Sequence, residues 1–235
     1  MQRSYNLLTY QSQSMKSFVI ILAGILFMNL DGQNKTKIVF FGDSITEIGV
    51  QENGYIDLMN KKLKTSGLEN QFELIGSGIG GNKIYDLFFR LEKDVLSKAP
   101  DVVVIWIGVN DVWHKSSFGT GSDLGKFEIM YTDIIKKIQQ RNIKVYICTP
   151  ACIGEKTDFS NAQDGDLNAF SNVIRTISKQ TNAGLIDFRK SFLDYNLSHN
   201  PENKYSGILT NDGVHLNMEG NQMVANMMWK SLIKS

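Results

Sequence analysis

Cysteine and histidine are scarce in this 235-residue chain, which contains only Cys148, Cys152, His114, His199 and His215. It has no second cysteine pair and no His-x-x-x-His spacing, so the usual zinc-binding patterns are absent and we expect no metal. The two cysteines lie four residues apart at the end of an apolar run. We expect them to pack as free, small apolar side chains, because a disulfide across so short a loop demands unusual geometry, although export would allow one.

The chain has no excess of either charge, since 25 basic and 24 acidic residues give a formal net charge of +1. Without residues 1–32, which carry two basic residues and one acidic residue, the formal charge would be zero. This neutrality argues against nucleic acid or an acidic membrane surface as the main partner. The length suits one α/β domain with a sizeable core and leaves no room for a second catalytic domain.

The N-terminal apolar run, Phe18–Met28, is too short to span a bilayer. It follows Lys16 and has the length of the apolar region of a signal peptide. We therefore expect residues 1–32 to be a signal peptide that is cleaved after Gly32. A buried N-terminal helix and an uncleaved membrane anchor are the alternatives, and no cysteine follows the run to carry a lipid.

Met15 is a natural start, so residues 1–14 are interpreted as an upstream extension of the signal peptide. Residues 33–235 would then form one domain exported to the periplasm or the extracellular space. After cleavage, no stable insertion in a membrane is expected.

Along residues 33–235, short apolar runs alternate with helical patterns, which indicates repeated βα units and a parallel sheet. The predicted strands are Ile38–Phe41, Phe72–Ile75, Val102–Ile107, Lys144–Cys148 and Leu185–Asp187. The predicted helices are Gly54–Thr65, Lys83–Ser97, Lys126–Gln140, Asp166–Gln180 and Met218–Ile233. The third strand is apolar on both faces, as expected of a central strand covered by helices on each side.

Two longer loops are predicted, Trp113–Gly125 and Ala151–Gly165. Both follow strands at the same edge of the predicted sheet, so they would form the rim of a pocket. The alternative is that they are ordinary connections, because loop length alone does not show function.

Ser44 follows the first strand directly, in the turn Gly42-Asp43-Ser44. In open α/β sheets the carboxyl ends of the strands build the ligand crevice, so Ser44 is a candidate nucleophile. A serine hydroxyl is a weak nucleophile by itself. The hypothesis therefore requires a base, a residue that orients the base, and donors for an oxyanion.

Asp212 and His215 supply the candidate base and its orienting acid. Histidine has the side chain best suited to proton exchange near neutral pH, and an aspartate three residues earlier can hold its ring from the same turn. Alone, an Asp-x-x-His pattern is more typical of a surface turn. His114 and His199 have no such partner in the sequence and are expected to be structural or solvated.

The candidate oxyanion donors follow the second and third strands. The segment Gly76–Asn82 is rich in glycine and can present backbone N–H groups, while Asn110 can present its side-chain amide. The glycines also match a dinucleotide-binding spacing, but they follow the second strand and no acidic residue ends the next one, so we reject that reading. We expect Asp43 and Asp111 to accept hydrogen bonds from loop N–H groups.

Together, Gly42-Asp43-Ser44-Ile45, the glycine-rich turn ending at Gly81, Gly108-x-Asn110-Asp111 and Asp212-x-x-His215 resemble the four ordered blocks of the GDSL, or SGNH, hydrolase family. The resemblance covers the chain from about Lys37 to the last helix. It implies a flavodoxin-like three-layer α/β/α fold with strand order 2-1-3-4-5, and ester hydrolysis without a cofactor.

By position, the resemblance implies that Ser44 is the nucleophile, with His215 as the base and Asp212 as its orienting acid. It implies an oxyanion hole formed by the N–H groups of Ser44 and Gly81 and by the Asn110 amide, with Gly80 as the neighbour that could be confused with Gly81. The chain departs from the family at two positions of the glycine-rich block. It has Gly76 where many members have asparagine and Lys83 where threonine is common.

We expect an exported serine esterase acting through an acyl-enzyme on short-acyl esters, most of all acetylated carbohydrates. Its partner would be a small-molecule or glycan ester. Lysophospholipid or simple alcohol esters, acyl transfer to a sugar, and a catalytically silent carbohydrate-binding protein remain the alternatives. Trp113 could stack on a sugar or pack internally.

Overall fold

Five parallel strands form the centre of the computed structural model, which describes residues 34–234. The expected signal peptide lies outside the described residues. The strands are β1 (Thr36–Gly42), β2 (Phe72–Gly78), β3 (Val102–Trp106), β4 (Lys144–Cys148) and β5 (Gly184–Ile186). Their order in the sheet is β2-β1-β3-β4-β5, so the predicted five strands and their order are confirmed.

Eight α-helices and one short 3₁₀ helix, Leu96–Lys98, surround the sheet within residues 34–234 and complete a three-layer α/β/α sandwich. The α-helices are α1 (Ser44–Gly49), α2 (Tyr55–Thr65), α3 (Ile84–Asp94), α4 (Val109–Phe118), α5 (Leu124–Gln139), α6 (Asp164–Thr181), α7 (Phe188–His199) and α8 (Met218–Leu232). Helix α2 packs against α8, and α5 packs against both α3 and α6. The methionine-bearing helix α8 buries Met228 completely, as expected for a helix that packs on the core.

Alternate residues of β1 face opposite helical layers. Phe40 meets the edge of Tyr55 in α2, with ring centroids 5.8 Å apart. Phe41, on the other face, lies under the Arg90 guanidinium of α3 at 4.4 Å. Both phenylalanines are fully buried, which explains why this central part of the sheet is encoded by continuous apolar runs.

The predicted loop over Trp113–Gly125 is wrong. Helix α4 extends through Phe118 and α5 begins at Leu124, so only residues 119–123 connect them. Gly119 has a φ of 68° and ends α4 as a left-handed cap, a helix stop signal that was interpreted as part of a loop. The hydroxyls of Ser116 and Ser117 donate to the Trp113 carbonyl within the helix. The loop predicted at Ala151–Gly165 is largely present and ends where α6 begins.

Helices α1, α4 and α7 were not predicted, because each is short or begins directly at the end of a strand.

Cys148 and Cys152 are both free and buried, and burial raises the pKa of both thiols. Two packed thiols therefore take the place of a disulfide.

Two glycines allow the backbone of α1 to lie against the strand ends. Gly42 of β1 pairs with Gly78 of β2 on one side and with Trp106 of β3 on the other. A Cβ atom at Gly78 would lie 2.1 Å from the Glu47 nitrogen, and one at Gly42 would lie 2.4 Å from the Trp106 carbonyl oxygen. Only glycine fits at these positions, and α1 therefore starts at the sheet edge.

We expect Gly78→Ala to destabilise the protein by about 2–3 kcal/mol, as overpacking against the main chain does. Urea unfolding would measure the loss. Gly125→Ala is the matched control, since a Cβ there has no neighbour within 4 Å and alanine favours the helix. A Gly78→Ala protein as stable as the Gly125→Ala protein would contradict this account of the packing.

Candidate active site

Ser44 is the first residue of α1 and lies just beyond the carboxyl end of β1. Asp43 caps this helix, and its Oδ1 accepts a hydrogen bond from the Ile45 N–H at 3.0 Å. Burial raises the pKa of Asp43 to about 7 despite this bond. Asp43 therefore accepts a bond from the turn that presents Ser44, in the bracing position that the sequence predicted.

Ser44, His215 and Asp212 form a continuous chain of hydrogen bonds. The Ser44 Oγ lies 3.0 Å from the His215 Nε2, and the His215 Nδ1 lies 2.7 Å from the Asp212 Oδ2. With Nδ1–H donating to the carboxylate, Nε2 is left to accept the serine proton. This is the arrangement of a nucleophile, a base and an orienting acid.

The Asp212 carboxylate is held in its ionised form. Partial burial by itself would raise the pKa of Asp212, but hydrogen bonds from the His215 side chain and from the N–H groups of His215 and Val214 outweigh it and lower the pKa. The two N–H groups donate to Oδ1 at 2.8 and 2.9 Å. Oδ2 is therefore free to accept from the imidazole.

Glu155 anchors the segment that leads to Asp212. The sequence analysis did not predict this role. Its carboxylate is buried and accepts from the N–H groups of Ile208 and Leu209 at 2.9 and 2.6 Å. The neighbouring Gly154 N–H donates to the Gly213 carbonyl at 2.8 Å. The sequence around Glu155 does not indicate this role, because the two N–H groups that its carboxylate binds lie more than fifty residues further along the chain.

Three candidate oxyanion donors follow the carboxyl ends of β1, β2 and β3. Within the described part of the chain, the N–H groups of Ser44 and Gly81 donate to no acceptor, whereas the Gly80 N–H donates to the Glu47 Oε2 at 2.9 Å. Asn110 is buried and its amide donates one bond to the Asn82 carbonyl at 3.2 Å, which leaves its second proton. The geometry thus favours Gly81 over Gly80 as an oxyanion donor.

The glycine-rich turn is braced by residues that the sequence reading missed. Arg90 donates to Asn82 Oδ1, to the Ser77 carbonyl and to the Gly42 carbonyl at 2.7, 3.0 and 2.7 Å. It therefore ties the turn to the end of β1.

At Gly76, a Cβ would lie 2.3 Å from a Val50 methyl group, so the asparagine common in similar proteins would not fit without a shift of Val50.

Asp111 is fully buried next to the end of the glycine-rich turn, and its carboxylate accepts a hydrogen bond from the Ile84 N–H at 3.2 Å. Burial raises the pKa of Asp111 to about 6. As expected from the sequence, the carboxyl braces the first residue of α3.

An aromatic row, defined here as Trp113, His114 and Phe118 of α4, runs from His215 to the surface. Ring centroids are 6.3 Å apart for His215 and Trp113, 5.6 Å for Trp113 and His114, and 5.0 Å for His114 and Phe118. Phe118 is 70% exposed. His114 is thus beside the candidate site, whereas His199 stacks on Tyr195 in α7 and takes no part in it.

Among residues 34–234, no cluster of three or more His, Cys, Asp or Glu side chains is arranged to hold a metal ion.

A family model for the GDSL-like lipase/acylhydrolase family matches residues 40–223. The chain belongs to this family. This GDSL-like hydrolase is therefore an enzyme that cleaves carboxylic esters, as the sequence predicted.

Several relatives of the hydrolase are acetylxylan esterases. The crystal structure of an acetyl xylan esterase, AlAXEase, is 62% identical with a TM-score of 0.83, and the match covers 84% of this chain and all of that one. The acetylxylan esterase of Geobacillus stearothermophilus is 26% identical over 207 residues, or 80% of this chain and 90% of that protein. An uncharacterized lipoprotein of Bacillus subtilis (strain 168), YqeF, is 24% identical over 89% of this chain and 95% of that protein.

We expect Glu155→Gln to lower both stability and turnover. An amide can accept only one of the two N–H bonds and points its own NH₂ at the other donor, which costs about 1–3 kcal/mol and loosens the segment before Asp212. Thermal unfolding and ester hydrolysis would measure both effects. Glu202→Gln is the control, because Glu202 is exposed in the same segment and, among residues 34–234, forms an ion pair only with Lys204. Parent-like values for Glu155→Gln would refute the anchoring role.

Proposed function

We propose that Ser44, His215 and Asp212 form the catalytic triad of this esterase, and that its substrates are acetyl esters of carbohydrates. The observation that carries the catalytic assignment is the hydrogen-bond chain from Ser44 Oγ through His215 to Asp212. Within residues 34–234, the N–H groups of Ser44 and Gly81 remain available, since they donate to no other acceptor. This combination meets every requirement of acyl transfer to a serine.

In the proposed reaction, His215 Nε2 takes the proton from the Ser44 Oγ as the oxygen attacks the acyl carbon. The N–H groups of Ser44 and Gly81 and the amide of Asn110 stabilise the oxyanion of the tetrahedral intermediate. Each such donor contributes about 3 kcal/mol in comparable sites. The intermediate collapses and His215 protonates the leaving alcohol. A water activated by the same histidine then hydrolyses the acyl-enzyme, so the sequence of steps requires no cofactor.

Two observations support a carbohydrate ester as the substrate. Relatives that cover most of this chain are named for their action on acetylated xylan. The aromatic row offers flat apolar rings next to His215, on which the C–H faces of a sugar can pack. Trp113 is half-buried and Phe118 is exposed, so the outer end of the row is the more open to a sugar.

We further propose that the enzyme is exported. Support comes from the N-terminal apolar run Phe18–Met28 and from the similarity to a bacterial lipoprotein. None of the helices in residues 34–234 is long and apolar enough to cross a membrane. Expression in a secreting host followed by mass measurement tests the proposal: the recovered protein should begin after Gly32, and retention of residues 1–32 would contradict it.

We expect Ser44→Ala to reduce hydrolysis of 4-nitrophenyl acetate by at least about 10³-fold without loss of thermal stability, because the nucleophile is removed and little else changes. An organophosphonate should label the parent protein and fail to label the variant. Ser117→Ala, at an exposed position of α4, is the control. A Ser44→Ala protein as active as the parent would rule out the proposed triad.

We expect Phe118→Ala to raise KM several-fold for an acetylated xylo-oligosaccharide and to leave 4-nitrophenyl acetate unaffected, since the small ester does not reach the outer end of the aromatic row. Phe89→Ala is matched to it, because Phe89 is also exposed but lies on α3 beside Arg141, away from the row. Equal KM values for the oligosaccharide in all three proteins would exclude a sugar contact at Phe118.

A further inference from the structure

Lys83 presents a buried positive charge at the oxyanion side of the site. The residue is 8% exposed, and its Nζ donates to the Gly81 carbonyl at 2.8 Å. The Tyr85 ring centroid is 5.4 Å away. Its ammonium forms no ion pair with any carboxylate of residues 34–234. Lysines are rarely buried without such a partner, so this one calls for a physical reason.

Two acidic residues beside Lys83 accept hydrogen bonds from the backbone and not from the Lys83 ammonium. The Asp86 carboxylate accepts from the backbone N–H of Lys83, and the Asp111 carboxylate accepts from the Ile84 N–H. The charge of Lys83 nevertheless affects the pKa of two neighbouring groups. It opposes the burial that raises the pKa of Asp111, and it adds to the partial burial that lowers the pKa of His114.

Gly81 lies between two fixed contacts. On one side, the Gly80 N–H is held by Glu47, and on the other side, the Gly81 carbonyl is held by Lys83. Gly81 itself has a φ of 74°, a conformation that glycine adopts readily. The free Gly81 N–H therefore has its direction set by the two flanking contacts. Loss of the Lys83 contact would leave it held from one side only.

We propose that Lys83 is a positioning residue of the oxyanion hole, which fixes Gly81 and favours the negatively charged transition state through its unneutralised ammonium. This inference rests on the proposed function, since it assumes an oxyanion beside Gly81. A preorganised charge interacts more strongly with an anion that forms during the reaction than with a neutral ester. The effect of Lys83 should consequently appear in kcat and leave KM nearly unchanged.

The test uses Lys83→Met, which keeps the length of the side chain and removes the charge, and Lys83→Thr, which is a favourable N-cap for α3 and so preserves the fold. We expect kcat for 4-nitrophenyl acetate to fall by about 10- to 100-fold in both, with KM within about threefold. Lys83→Arg keeps a positive charge and should recover most of the loss.

A second readout measures the stabilisation of a bound anion directly, apart from the reaction rate. Methylboronic acid adds the Ser44 oxygen to boron while the serine proton passes to His215, and the tetrahedral adduct is anionic. Its affinity should fall by the same factor as kcat in Lys83→Met and Lys83→Thr. Lys37→Met is the matched control, because the Lys37 Nζ also donates to a carbonyl at 2.8 Å, that of Lys98, but Lys37 lies at the opposite end of β1.

The outcomes distinguish failure of the Lys83 role from failure of the catalytic triad. If Ser44→Ala is inactive and either folded, uncharged Lys83 variant keeps kcat within twofold of the parent, the role of Lys83 is refuted and the triad stands. Unchanged boronate affinity in those variants would likewise refute it. If Ser44→Ala is as active as the parent, the proposed function itself fails, whatever the Lys83 variants do.

Discussion

The close packing of α1 against the ends of β1 and β2 is the constraint on which the rest of the site depends. Gly42 and Gly78 carry no side chains, so main-chain atoms of the sheet and of α1 come into contact. A helix that starts so close to the strand end leaves the N–H of Ser44 free and directs its hydroxyl into the crevice. The other functional groups only need to reach this point, and they do so from the ends of β2 and β3 and from the loop that precedes α8.

Each segment that carries a candidate functional group is fixed by a polar contact on the side away from that group. Asp43 caps the helix of Ser44, Glu155 binds the segment that precedes Asp212, and Arg90 joins the glycine-rich turn to β1. Lys83 completes the set at Gly81. Such contacts place the reacting groups before the substrate arrives, and this preorganisation is what allows weak hydrogen bonds to stabilise a transition state.

Much of this architecture was predictable from the sequence, because its signals are local. Short apolar runs identified all five strands, and the four ordered motifs indicated the family, the strand order and the residues around Ser44. The reading failed at residues 113–118, where a polar, serine-containing segment was interpreted as loop. A left-handed glycine cap after Phe118 and burial of the preceding turn, Val109–Val112, stabilise a helix there that composition alone does not reveal.

The sequence by itself therefore determined the sheet, its family and the candidate triad, since alternation, turn residues and motif spacing are encoded within a few residues of each other. Only the tertiary structure decided which glycine N–H lacks an acceptor within residues 34–234, which acid anchors the segment before Asp212, and that Lys83 binds the Gly81 carbonyl without an ion-pair partner in those residues. These properties depend on contacts such as Glu155 to Ile208 and Gly80 to Glu47, between residues distant in the chain. No local pattern encodes them, because burial and partner choice arise only once the chain has folded.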